Sequence, residues 1–134
     1  MFTQLLNTTT TSVLEQVANF AETRHSILAG NVANLDTPGY RVRDLSVETF
    51  QQRLREAIEA DRHPPSPGIR GYATDEAMRR VRDSMQSILY HDQSNVGLEQ
   101  QVTEIAKNQY MHNLAISIMR NQFRMLEVAV SERV

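Results

Sequence analysis

Apolar side chains recur at alternating spacings of four and three residues in two long stretches, one towards each end of the chain. In the first, Leu14, Ala18, Ala21, Leu28, Val32 and Leu35 form a stripe with His25 in step, and Val13, Val17, Phe20 and Ile27 form a second stripe beside it. That period predicts an amphipathic α-helix. Ser12 with Glu15 three residues on matches a capping box, so the helix is predicted to begin near Ser12, after a flexible segment 1–11 that includes the β-branched run Thr8–Thr11. Pro38 disfavours helical geometry at Thr37, which places the helix end at Leu35 or Asp36. A helix over 12–36, about 36 Å long, with so wide an apolar face needs another helix to cover it.

The second stretch carries the stronger pattern. Leu98, Val102, Ile105, Gln109, His112, Ile116, Met119, Phe123, Leu126 and Val130 keep the same alternation, and Ala106, Tyr110, Leu114, Ile118, Met125 and Ala129 widen the face. With Asn95 as a candidate cap and Glu99 near the positive end of the helix dipole, this predicts a C-terminal helix over 95–134, about 50 Å long. Gln109 and His112 interrupt the seam and read as register-setting positions. The simplest partner for the first helix is the last. The predicted packing interface joins Leu14, Ala18, Ala21, Leu28 and Val32 to Leu98, Val102, Ile105, Ile116, Met119, Phe123, Leu126 and Val130.

Residues 37–94 read as a turn, short helices and a mobile middle segment. Asn31 and Asn34 share a helix face, where their amides can bond the last unpaired carbonyls or a neighbouring helix. Pro38-Gly39 fits the two central positions of a type II turn. Arg41–Leu45 reads as a strand-like connector. Val47, Phe50, Leu54, Ala57 and Ile58 predict a second helix over about 46–60. Pro64, Pro65, Pro67 and Gly68 break helix and strand alike, and Gly71–Thr74 is expected to continue that loop. Met78, Val81, Met85, Ile88 and Leu89 predict a helix over 75–90, with Arg79, Arg80 and Arg82 on a solvated face beside Asp75, Glu76 and Asp83. The fold class is all-α: long terminal helices packed as a coiled-coil-like pair around a short, proline-containing middle.

Composition narrows the function. The chain has 134 residues, a formal net charge of -2 and no cysteine, so nothing suggests a nucleic-acid footprint, and thiol chemistry is excluded. Its four histidines lie in different segments with no His-x-x-x-His spacing, and there is no phosphate loop or nucleophile elbow. No catalysis, metal, cofactor or small-molecule substrate is expected. Glu22, Arg24 and His25 read as a solvated polar cluster. Met1–Asn7 lacks the features of a cleaved secretory signal, and no apolar run approaches the ~18 residues of a membrane span.

The string Asn31-Val32-Ala33-Asn34-Leu35-Asp36-Thr37-Pro38-Gly39-Tyr40, closing an N-terminal amphipathic helix, resembles the signature of bacterial flagellar rod, hook and related axial proteins. Asn95-Val96-Gly97-Leu98-Glu99 and the run Glu104–Tyr110 are similar to C-terminal elements of the same family, with Gly97 where an acidic residue is usual. The short middle segment points within it to the proximal rod FlgB family. The resemblance implies a self-assembling structural subunit of the basal-body rod. It would be exported through the flagellar type III apparatus without a cleaved signal, and its partners would be other rod subunits, copies of itself, and the basal-body base and export apparatus. It marks Asn31, Ala33, Asn34, Thr37, Pro38, Gly39 and Tyr40 as an assembly turn. A soluble helical adaptor or export chaperone that clasps a partner fits the periodicity equally and lacks a reason for that string. If assembly is what covers the apolar faces, both terminal helices are expected to be partly disordered in the free subunit.

Overall fold

The computed structural model describes residues 9–62, 70–87, 90–91 and 97–131. In chain order its elements are α1 (Thr9–Ala33), β1 (Arg43–Asp44), α2 (Val47–Arg62), α3 (Arg70–Ser87), β2 (Tyr90–His91) and α4 (Leu98–Ser131). The architecture is all-α apart from one short bridge, in which β1 and β2 pair antiparallel with Arg43 opposite His91 and Asp44 opposite Tyr90.

The long helices α1 and α4 run antiparallel. Contacts between them descend in one number as they rise in the other: Thr11 Oγ1 donates to Gln122 Oε1 at 3.2 Å, Asn108 Nδ2 to the Ala21 carbonyl at 2.6 Å, and Asn31 Nδ2 to Gln101 Oε1 at 3.2 Å. At 1.5 Å per residue α4 is about 50 Å long and α1 about 37 Å. The C-terminal end of α4 therefore runs on beyond Gln122.

On one flank of α1, α2 and α3 pack as a hairpin. The core there joins Phe20 of α1, Leu45 of the connector, Phe50 and Ala57 of α2, and Ala77, Met78 and Val81 of α3. Phe20 and Phe50 stack with ring centroids 4.0 Å apart and planes 14° from parallel. Burying each large apolar side chain contributes about 1.5–3 kcal/mol, which orders helices too short to be stable alone. Val13, Val17 and Ile27, predicted as the second stripe of the first helix, border this core.

Several helix boundaries differ from the sequence reading, each for a local reason. α1 begins at Thr9, so Ser12 lies inside it; the contact between Thr11 and Gln122 rewards an extra turn that threonines disfavour only slightly. It ends at Ala33 because Asn34 turns its side chain back onto the Gly30 carbonyl at 2.8 Å, and tighter bonds follow from Leu35 N to Val32 O and Thr37 N to Asn34 O. α2 is capped by Ser46, whose Oγ accepts the Thr49 amide at 3.1 Å and whose carbonyl accepts the Phe50 amide. α3 takes in Gly71–Thr74, expected as loop, since docking of Ala77, Met78 and Val81 outweighs local propensity. At α4 the Gly97 carbonyl accepts the Gln101 amide at 3.2 Å, so Gly97 holds the capping position. The expected cap Asn95, the prolines at 64, 65 and 67, and Ile88 and Leu89 lie outside the described residues.

The largest correction concerns the seam. In α4 the buried positions are Gln101, Asn108 and Ala115, seven apart, rather than the apolar line beside them. Leu98, Val102, Phe123 and Val130 are about half exposed, and Ile105, Ile116, Met119 and Leu126 are half-buried. In α1 Ala18, Ala21 and Leu28 are buried as predicted, Leu14 and Val32 are half-buried, and the polar Gln16, Arg24 and Asn31 are buried with them. Ranking positions by apolarity turned the inward direction of α4 by about one residue, or 100°. The line that faces α1 is partly polar.

Candidate functional site

Asn31 occupies the point where the helix pair meets the turn. It is fully buried, and its side chain uses all four of its hydrogen-bonding positions. Nδ2 donates to the Arg43 carbonyl at 2.6 Å and to Gln101 Oε1 at 3.2 Å; Oδ1 accepts the Arg43 amide and the Tyr40 hydroxyl, both at 3.1 Å. One amide thus ties α1 to β1, to α4 and to the end of the turn. An asparagine suits this place because it alone of the residues this size offers two donors and two lone pairs from one planar group.

Between Asn31 and Tyr40 the chain folds as its residue types require. Gly39 has φ 79°, and the Tyr40 amide donates to the Thr37 carbonyl at 3.1 Å, which is the type II turn expected of Pro38-Gly39. Asn34 bonds a helix carbonyl and Asn31 a neighbouring helix, the two roles foreseen for that pair. Ala33, Asp36, Thr37, Pro38 and Gly39 are exposed, so the tip of the turn presents a fixed shape to solvent.

A second cluster lies one and two turns back along α1. Arg24, read from sequence as solvated, is 6% exposed. Its Nε and Nη2 donate to the two Asp44 carboxylate oxygens at 2.7 and 2.6 Å, and Nη2 also reaches Glu104 at 2.9 Å. Glu104 further accepts from Lys107 at 2.9 Å. These bonds, that from Lys107 above all and then that from Arg24, hold the Glu104 carboxyl below its ordinary range against the opposing effect of burial. The Arg24 guanidinium is held charged chiefly by its hydrogen bonds to Asp44. Ala21, Arg24, Leu28 and Asn31 stand at spacings of three, four and three. That step was the available signal for Arg24, and it was passed over because the residue is charged.

Between the long helices, away from the hairpin, lies a groove of about 500 Å³ lined by Ala21, Glu22, His25, Asn108, Gln109, His112 and Asn113. The Asn108 side chain spans the seam to the Ala21 carbonyl, while its Oδ1 is buried with no hydrogen-bond partner. His25, Gln109 and His112, in step with the two predicted apolar stripes, come together here. Among the described residues no His, Cys, Asp and Glu grouping is suited to a metal ion, and no helix is long and apolar enough to cross a membrane.

The arrangement is one of packing surfaces and positioning bonds. Comparison with known proteins agrees in kind. The chain is 28% identical over 118 residues to a flagellar basal body rod protein FlgB of Borrelia hermsii, covering 80% of this chain and 84% of that one. It is 25% identical over 122 residues to the protein of the same name in Bacillus subtilis, covering 88% and 90%, and 25% identical over 122 residues to that of Aquifex aeolicus, covering 91% and 93%. No protein-family model matches the chain, and no solved structure matches it significantly.

Proposed function

We propose, starting from this chain's membership of the FlgB family of flagellar rod proteins, that it is a structural subunit of the proximal rod in a bacterial flagellar basal body. The observation that carries the reading is similarity to proteins of that one name over four fifths or more of the chain, and the 91% of this chain matched by the Aquifex aeolicus protein includes most of both long helices. The surface supports it: every exposed large aliphatic or aromatic side chain among the described residues lies on α4, from Leu98 to Val130. So concentrated an apolar surface is characteristic of a chain that is covered by neighbours.

In this reading the subunit does no chemistry. Its partners are other rod subunits, further copies of itself and the base and export apparatus of the basal body, and it reaches them through the flagellar type III route without a cleaved signal. The exposed turn Ala33–Gly39, held from beneath by Asn31, is a rigid end surface against which a neighbour stacks.

Peptide mass spectrometry of salt- and detergent-resistant basal bodies from the source bacterium tests this. The expected result is the chain in stoichiometric amount with the amino-terminal peptide intact. Recovery only from soluble cytoplasm would overturn the rod assignment and favour the adaptor reading.

A further inference from the structure

Two nitrogens on the buried line of α1 are used in the same way. Arg24 Nη2 donates to Asp44 Oδ2 at 2.6 Å and to Glu104 Oε2 at 2.9 Å, and Asn31 Nδ2 donates to the Arg43 carbonyl at 2.6 Å and to Gln101 Oε1 at 3.2 Å. Each nitrogen carries two hydrogens, and each gives one to β1 and the other to α4. The other bonds of both side chains run to β1 or to the end of the turn: Arg24 Nε donates to Asp44 Oδ1, and Asn31 Oδ1 accepts from the Arg43 amide and from Tyr40. β1 therefore fixes the planes of a guanidinium and an amide. With those planes fixed, the last hydrogen of each nitrogen has one direction, towards α4.

What these hydrogens meet on α4 is its polar line, although an apolar line stands next to it. Gln101, Asn108 and Ala115 are 4%, 1% and 2% exposed, whereas Val102, one residue or about 100° round from Gln101, is 52% exposed. The apolar line lies on the groove side of the seam, since Gln109 and His112, which belong to it, line the groove together with Ala21 and His25. The groove, of about 500 Å³, is thus the space that this line would enter if α4 turned by one residue about its own axis. The polar seam carries a cost that an apolar seam avoids: Gln16 Oε1 and Asn108 Oδ1 are buried with no hydrogen-bond partner.

We infer that β1 is a template that chooses which face of α4 docks on α1. Through Arg24 and Asn31 it aims two donors at Glu104 and Gln101, and so holds the apolar line of α4 out of the seam that the line would otherwise fill. Polar groups in a helix–helix seam fix its register at a cost in stability, and here they fix the rotation of one helix about its axis. Asp44 is a positioning residue in this device: its bonds run to Arg24 and to the Leu45 amide, and it acts on α4 only by holding the guanidinium. Selection of the face is a property of the single chain and does not depend on the rod-subunit reading.

The chain has no cysteine, so single introduced thiols report the rotation. Val102→Cys and Ala115→Cys serve as separate reporters, each labelled with a maleimide at a dilution where the rate no longer depends on protein concentration. In the otherwise native chain position 102 should react at least about tenfold faster than position 115, as their exposures of 52% and 2% require. Equal rates would overturn the inference at once. Gln101→Ala with Glu104→Ala then removes both acceptors from α4 and leaves every bond between α1 and β1 in place. The contrast should fall to within about twofold, or reverse, at wild-type helix content by circular dichroism. A contrast that survives refutes the selection. Loss of helix content refutes it as well, since the bonds would then hold the pair together rather than choose its face. Two further variants separate aiming from contact. Asp44→Ala should narrow the contrast at wild-type helix content although Asp44 donates nothing to α4, and an unchanged contrast would remove β1 from the device. Glu104→Gln keeps an acceptor for Arg24 and should retain the contrast; its loss would show that charge, and not the direction of the bond, decides. Basal-body fractionation bears on none of these rates.

Discussion

Asn31→Asp is the most searching single change, because it preserves shape and both acceptor contacts while removing both donors. The Nδ2 bonds to the Arg43 carbonyl and to Gln101 Oε1, at 2.6 and 3.2 Å, become contacts between a carboxylate oxygen and two acceptors. Gln101 can rotate its amide and donate instead; the Arg43 carbonyl has no such remedy. One lost bond costs about 1 kcal/mol, and an uncompensated charge at a fully buried site adds more, partly offset by stronger bonds from Tyr40 and the Arg43 amide. A net loss of about 3 kcal/mol at pH 7 is expected. At a denaturant slope of about 1–3 kcal/mol per molar urea, the midpoint falls by about 1–3 M. The acid side supplies the check. Burial and the facing carbonyl raise the folded-state pKa of the introduced carboxyl above its unfolded value of about 3.9, so the folded state binds the proton more tightly. The penalty should be small near pH 4, where the protonated group again donates to the Arg43 carbonyl, and should grow as pH rises through the folded-state pKa. Urea unfolding followed by far-ultraviolet circular dichroism, variant beside wild type at both pH values, reads this directly. A midpoint shift below about 0.5 M at pH 7, or one that fails to shrink in acid, would refute the role assigned to Asn31.

Three further outcomes are expected. At Gly39, where φ is 79° and an added Cβ meets nothing within 4 Å, any loss is backbone strain alone: thermal melts should rank Gly39→Asn mildest, Gly39→Ala near 1 kcal/mol and Gly39→Val worst, and equal losses would point to a contact instead. Because its neighbours hold the Glu104 carboxyl below the ordinary range, it stabilises the fold above its unfolded pKa and loses that contribution as pH falls through the folded one; Glu104→Gln should therefore be less stable than wild type at neutral pH and converge with it in acid, as read by melts across pH 2–7. Amide exchange on the dilute chain should show stronger protection over residues 101–112 than over 123–131, which lie past the Thr11–Gln122 contact and are largely exposed among the described residues; uniform protection to Ser131 would contradict the expected loosening of the free subunit.

Much of the architecture was legible from periodicity. The two long helices, the second stripe of Val13, Val17, Phe20 and Ile27 on the first of them, and the type II turn at Pro38-Gly39 all follow from spacing and from what proline and glycine permit, whereas the packing of the middle helices over that stripe was found only in the structure. The orientation of α4 was not, because hydrophobic spacing finds the seam only where the seam is hydrophobic. Here its facing positions are Gln101 and Asn108 on one helix and Gln16, Arg24 and Asn31 on the other. Several of their bonds reach partners 70 to 87 positions away, such as Gln101 for Asn31 and the Ala21 carbonyl for Asn108, and no local pattern records those distances. The apolar line beside them, Leu98 to Val130, lies at the edge of the seam, half-buried at Ile105, Ile116, Met119 and Leu126 and about half exposed at Leu98, Val102, Phe123 and Val130.

The short pairing of β1 with β2 has a consequence for what can be attached to this molecule. Chain leaving the helix pair through Arg43 and Asp44 and chain returning through Tyr90 and His91 lie side by side, bonded to each other. Everything from Leu45 to Leu89 is thereby an insertion through a closed neck, whose two ends stay one strand apart whatever lies between them. Such a neck keeps its two ends together when the insert is lengthened beyond α2 and α3, whereas removing α2 and α3 themselves would uncover Phe20 and the stripe beside it on α1. The helix pair with its docked hairpin can then be kept as a common shaft while chain added between α2 and α3 alters the diameter and outer chemistry of whatever the shaft builds.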